Sequence, residues 1–339
     1  MSKINENSTL NVKLVVKPIL FTMYHLNAYM GPCRYGEGYA LTTEADMETT
    51  QREFDIFKEE LKDLDPDNVE LLEPVIIHWN EDFALKDSEL KKALEDDEKT
   101  DFYLIRGLRI SSYFAVELSK HTNKPIGHTP NKSAFSKCDH VDMTAHLYAE
   151  GKNGYAFLDF EEMNRTFAAL RVKKALASTK VFFPLKSAML TFGCQSSYLT
   201  LEDVTNKFGV RFAHVNSDEV FQWLDQLTDE EKENAAKLAD ELVEKSQGVH
   251  MPAEYVKNDT EYFETIKKMM KHYDCNAFTM PCFEVCATRE LDKRKLTFCL
   301  AHSLFKDEGI ASACAGDVGS VLTITILMNI ARKAPYMGN

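Results

Sequence analysis

Two carboxylates stand out by their setting. Asp317 follows the short apolar stretch Ala311 to Cys314 through Ala315-Gly316, and a long apolar segment opens directly behind it. Glu284 ends a similar stretch, Asn276-Ala277-Phe278-Thr279-Met280-Pro281-Cys282-Phe283-Glu284. A strand–turn–helix pattern places such residues at the carboxyl ends of strands, where open α/β sheets bind their ligands. Hard divalent cations such as Mg²⁺ and Mn²⁺ take oxygen donors and need few protein ligands. The pair therefore reads as candidate metal ligands, one of them able to serve also as a base. A second reading is local, because an aspartate just before an apolar helix is what N-capping selects. The pattern leaves both open.

Other chemistry-bearing residues carry less. Arg34 lies in the turn-rich loop Gly31 to Gly38, where a guanidinium fork can grip hydroxyls or a carboxylate. A surface arginine in a glycine-rich turn is the plain alternative. Gly36-Glu37-Gly38 lacks the third glycine of a dinucleotide fingerprint. Cys282 and Cys286 stand four apart, but no second pair at zinc-ribbon spacing accompanies them. Cys138, His140 and His146 do not stack on one helical face, and His302, three after Cys299, reads as structural or as a neighbour of the site. No Gly-x-Ser-x-Gly elbow occurs.

The elements that must position these residues alternate between strand and helix. Val12 to Met23, Leu71 to Trp79, Phe102 to Ile105 and Pro125 to Gly127 read as strands, with helices over Glu44–Leu64, Ser88–Glu95 and Ser112–Lys120 between them. A second series follows a helix over Phe160–Ala177. Its strands are Lys180–Phe183 and Val210–Val215, and its helices Ser217–Leu227, Thr228–Ser246 and Pro252–Tyr273, the second opened by a Thr228/Glu231 capping box. Two closing strand–helix units carry Glu284 and Asp317. The expectation is an α/β fold of two Rossmann-like lobes, residues 1–160 and 161–339, each a mostly parallel sheet covered by helices. Residues 1–10 read as a frayed arm.

Composition narrows the function classes. The 339 residues carry 40 basic and 53 acidic side chains, a net charge of −13, which argues against nucleic-acid binding and against anionic membrane surfaces. No apolar run reaches the roughly 18–20 residues of a membrane span. The N-terminus reads as lacking a signal peptide. Eight scattered cysteines in a chain this long fit a reduced cytoplasmic protein.

Three places resemble the L-fucose isomerase family, in the superfamily that includes the L-arabinose isomerases. Met280-Pro281-Cys282-Phe283-Glu284 resembles the segment ending in the family's metal-binding glutamate. Ala313-Cys314-Ala315-Gly316-Asp317-Val318-Gly319-Ser320-Val321-Leu322-Thr323 resembles the segment carrying its metal-binding aspartate. Arg34 resembles an arginine used near the sugar. The likeness is distant in the first lobe and more specific toward the end of the chain. It implies metal-dependent aldose–ketose isomerisation of a free sugar through an enediolate, with Mn²⁺ as cofactor and Mg²⁺ as the other candidate. Glu284 and Asp317 would hold the metal and move the proton, and Arg34 would orient the substrate. Trimeric or hexameric self-assembly is also implied. Two departures stand beside it. Ala315 occupies a position where the family often has a glutamate, and the chain ends at Asn339, before the C-terminal domain that supplies the family's third ligand, a histidine. The alternative expectation is therefore a catalytically incomplete fragment, or a sugar-binding or regulatory module.

Overall fold

A computed structural model of the chain describes residues 4–24, 38–79, 85–108, 111–130, 134–186 and 200–338. The chain divides into two compact units. The N-terminal unit is Lys13–Arg171, and the C-terminal unit is Val172–Asn339 together with Met1–Val12. Both are α/β, with parallel sheets covered by helices, and so form two Rossmann-like lobes.

In the N-terminal unit the chain runs β1 (Leu14–Met23), α1 (Thr43–Glu60), β2 (Val69–Leu71), β3 (Val75–Trp79), α2 (Asp87–Leu94) and β4 (Phe102–Gly107). It continues through α3 (Ser112–Ser119), β5 (Ile126–His128), α4 (Ala134–Ala149), β6 (Gly154–Ala156) and α5 (Phe160–Ala177), within which the division falls. The sheet order is β2-β1-β4-β5-β6, with β3 also on β1, and every pairing is parallel. Alternation of side chains along β1 serves both faces. Ile19, Phe21 and Met23 join a core with α2, α3 and α4, while Leu14, Val16 and Leu20 join one with α1 and α5. The stretch expected as one strand over 71–79 is two short ones. Pro74, between them, has no N–H for the ladder and interrupts the pairing.

The C-terminal unit contains β7 (Lys180–Leu185), α6 (Leu201–Phe208), β8 (Arg211–Asn216), α7 (Ser217–Asp225), α8 (Asp229–Lys245), α9 (Ala253–His272) and β9 (Ala277–Thr279). It closes with α10 (Cys282–Ala287), α11 (Glu290–Arg294), α12 (Cys299–Asp307), β10 (Ala311–Ala313) and α13 (Val318–Ala331). The order β10-β9-β7-β8 is again wholly parallel. One face packs α7, α9 and α12 around Phe182 and Phe278. The other packs α6 and α13 around Val181 and Phe183. The expected capping box is present: Thr228 Oγ1 accepts from Glu231 N at 3.2 Å, and Glu231 Oε2 accepts from Thr228 N at 2.8 Å. Pro252 sits at the N-cap of α9, one residue outside the first turn.

The first residues are not frayed where they are described. Ser8 Oγ donates to Gly309 O at 2.5 Å, Asn329 Nδ2 donates to Thr9 Oγ1 at 2.9 Å, Arg332 Nη1 donates to Leu10 O at 2.6 Å, and Leu10 is buried. Partners more than 300 positions away leave no local pattern to read.

In both sheets the strand order reverses beside the first strand of the unit, between β1 and β4 and between β7 and β9. The carboxyl ends of these pairs are where doubly wound sheets place ligands.

Candidate functional site

β9 and β10 pair in parallel register, Ala277 with Ala311 and Thr279 with Ala313, so the segments that follow them leave the sheet side by side. After β9, Met280-Pro281 leads into α10, and Glu284 is its third residue. The Glu284 side chain lies outside the described part of the structure. After β10 the backbone hooks through Ala315 (φ 62°) and Gly316 (φ 73°) to Asp317, the N-cap of α13. Left-handed backbone is costly for a residue with a Cβ, so Ala315 is strained. Gly316 is doubly constrained, because an added Cβ would stand 3.2 Å from Pro281 Cβ and 3.3 Å from Phe183 Cε2. The hook thus presses on the start of the Glu284 segment.

Asp317 caps α13 with both oxygens: Oδ1 accepts from Ser320 N at 3.0 Å and Oδ2 from Ser320 Oγ at 2.6 Å. Each carboxylate oxygen retains a second acceptor direction. The two segments singled out from the sequence therefore meet, whereas Arg34 lies outside the described residues.

Thiols surround this end of the sheet. Cys282 opens α10 and Cys314 leaves β10. A hydrogen bond from Cys282 holds the Cys314 thiol below its ordinary range, and the same bond, with burial, pushes Cys282 up. His302 is a core residue: its Nδ1 lies 2.6 Å from Ser312 Oγ, its ring stacks on Phe278, and burial pushes it down to about 3. A groove of about 420 Å³ lined by Asn5, Lys267, Lys271, Cys275 and Ile310 opens elsewhere, beside the residues that precede β9 and β10.

A second constellation stands in the N-terminal unit. His128, the last residue of β5, is fully buried, and its ring stacks on His140 with centroids 4.2 Å apart and planes 16° from parallel. Asp139 and His140 are consecutive residues in the second turn of α4. Asp139 reaches across to the first turn of α3, where Oδ2 accepts from Ser111 N at 2.9 Å, Ser111 Oγ at 3.0 Å and Ser112 N at 3.2 Å. Ser111 Oγ also lies 2.8 Å from His128 Nε2. One ligand atom from each of His128, Asp139 and His140 lies within 4.8 Å of the others. Burial lowers the pKa of both histidines. Sequence spacing missed this group because it compared His140 with Cys138 and His146 on one helix. The available signal was His128, a histidine at the carboxyl end of a parallel strand.

No protein-family model matches the chain, and no curated protein matches it either. Among the described residues no helix is long and apolar enough to cross a membrane.

Proposed function

We propose that the chain is a metal-dependent aldose–ketose isomerase of the L-fucose isomerase-like kind, acting on a free sugar at the carboxyl ends of β9 and β10. The observation that carries this reading is the parallel pairing of β9 with β10, which sends Glu284 and Asp317 out from one sheet end. A pair of carboxylates suits a hard divalent cation, Mn²⁺ or Mg²⁺. Glu284 and Asp317 would hold it, and when bound it supplies Lewis-acid polarisation of the sugar carbonyl and its neighbouring hydroxyl. The chain's own part is proton transfer. Glu284 takes the proton from C2 of the open-chain aldose as base, exchanges it with solvent, and delivers a proton to C1 as acid. Asp317 is held in place by Ser320, which fixes its carboxylate against the hook. Arg34 orients the sugar hydroxyls, in an assembly of several copies.

A second reading, a sugar-binding or regulatory module, is favoured by Ala315, which brings no acid to the hook, and by the engagement of both Asp317 oxygens in the cap. Ketose formation from a panel of free aldoses with Mn²⁺ separates the two. The isomerase reading expects conversion that Glu284→Gln lowers at least about 100-fold with an unchanged unfolding midpoint. Sugar binding without conversion in the wild type would leave the module reading standing.

A further inference from the structure

The His128 constellation has no role in that isomerisation, yet its chemistry is incompletely used. Ser111 Oγ carries one proton and sits between a carboxylate, which only accepts, and His128 Nε2. The proton goes to Asp139, so His128 Nε2 carries the hydrogen and donates it to Ser111. That fixes the tautomer and leaves Nδ1 as a bare lone pair. His128 Nδ1 is buried and has no hydrogen-bond partner among the described residues, in a side chain with 0% exposure. Buried polar atoms are almost always paired, so an orphan of this kind calls for a ligand.

Two more donor residues stand beside it, one ligand atom from each of His128, Asp139 and His140 lying within 4.8 Å of the others. Among the described residues the three contacts to Asp139 Oδ2 are 3.2 Å or shorter, whereas Oδ1 has only Ser112 N at 3.4 Å. His140, a residue only 4% exposed, lays its ring against that of His128. We propose that His128 Nδ1, His140 and Asp139 Oδ1 bind a first-row divalent transition ion of the zinc(II) class, with Ser111 as the residue that positions His128.

The donor set decides the class of ion. Two imidazoles and one carboxylate suit zinc, cobalt and ferrous iron, whereas magnesium and calcium take oxygen donors. Three protein ligands leave a fourth position for water or a small anionic ligand. A histidine ligand whose other nitrogen is held by a hydrogen-bonded relay to a carboxylate is the usual arrangement around such ions. The rings are close to parallel, so nitrogens from both reach one ion only when the stack opens. Binding therefore has a conformational signature.

The test uses the full chain carrying Glu284→Gln and Asp317→Asn, so that the carboxylates of the C-terminal unit contribute nothing. After chelator treatment it is titrated with Co²⁺, followed by visible ligand-field absorption, and then with Zn²⁺. The expected result is one equivalent of Co²⁺ displaced by Zn²⁺ and not by Mg²⁺. His140→Ala should weaken Co²⁺ binding by at least roughly 10-fold, and Ser111→Ala by roughly 10- to 100-fold, the usual range for an outer-shell partner. Should either variant fold poorly, the ring ¹⁵N signals of His128 and His140 in the unsubstituted chain give the same answer, both shifting with Zn²⁺. Co²⁺ binding undiminished in folded His140→Ala, displacement by Mg²⁺, or imidazole signals unmoved by saturating Zn²⁺ would each overturn the proposal.

Discussion

The two units solve the same problem differently. Each closes a parallel sheet with a strand that runs into a helix, and each sets an aspartate at a helix N-terminus. In the C-terminal unit Asp317 caps its own helix and engages both oxygens with Ser320. In the N-terminal unit Asp139 caps α3 from a different helix and engages mainly one oxygen. A cap built within one helix is a local device and takes one acceptor direction of each carboxylate oxygen. A cap supplied from another element leaves an oxygen over and brings its neighbour His140 against the strand-end His128. Availability for chemistry thus depends less on residue type than on what the local backbone already requires of it.

The comparison can be broken at several points. The largest effect is expected at the proposed base. Glu284→Gln should lower ketose formation by about 10²- to 10⁴-fold, the usual contribution of a general base, with little change in stability; steady-state assays with Mn²⁺ check it. Next comes metal-linked stability. Zn²⁺ at a hundred times its dissociation constant should stabilise the chain by about 2.7 kcal/mol, as a rise in unfolding midpoint that disappears in His140→Ala and survives in Asp317→Asn.

A third effect is acid sensitivity. His128, His140 and His302 are all depressed by burial, His302 to about 3. Below about pH 6.5, the ordinary histidine value, the unfolded chain takes up protons that the folded chain refuses. Their stability contribution is therefore complete above that pH and is lost as pH falls toward the folded values, by up to about 1.4 kcal/mol per pH unit for each histidine. Denaturant melts between about pH 7 and pH 4 should show a shallower acid limb in His302→Gln. The smallest effect separates capping from catalysis: Asp317→Ala should cost about 1 kcal/mol of stability, and Asp317→Ser much less, by the same melts.

Much of the architecture was legible because hydrophobic periodicity is local. The helix Phe160–Ala177 and the capping box at Thr228 can be read directly, and both strand–helix units that bear Glu284 and Asp317 lie where the pattern puts them. What escaped was long-range. Pro74 splits a continuous apolar run, the polar residues of the N-terminal arm are held by partners at the other end of the chain, and β6 is only three residues long. The metal-ligand candidates of the N-terminal unit come from a strand end and a following helix, so no periodicity links His128 to Asp139. The capping alternative for Asp317, by contrast, was visible at once, since it needs only three residues.

Solvent exchange reports on proton removal at C2 of the sugar. Free aldoses incubated with the chain and Mn²⁺ in D₂O can be followed by proton NMR. Proton removal by Glu284 predicts loss of the C2 proton signal of the accepted aldose and deuterium at C1 of the ketose, both absent with Glu284→Gln. Exchange that persists undiminished in that variant, or no exchange with any aldose by the wild type, would rule out Glu284 as the base of an aldose isomerisation.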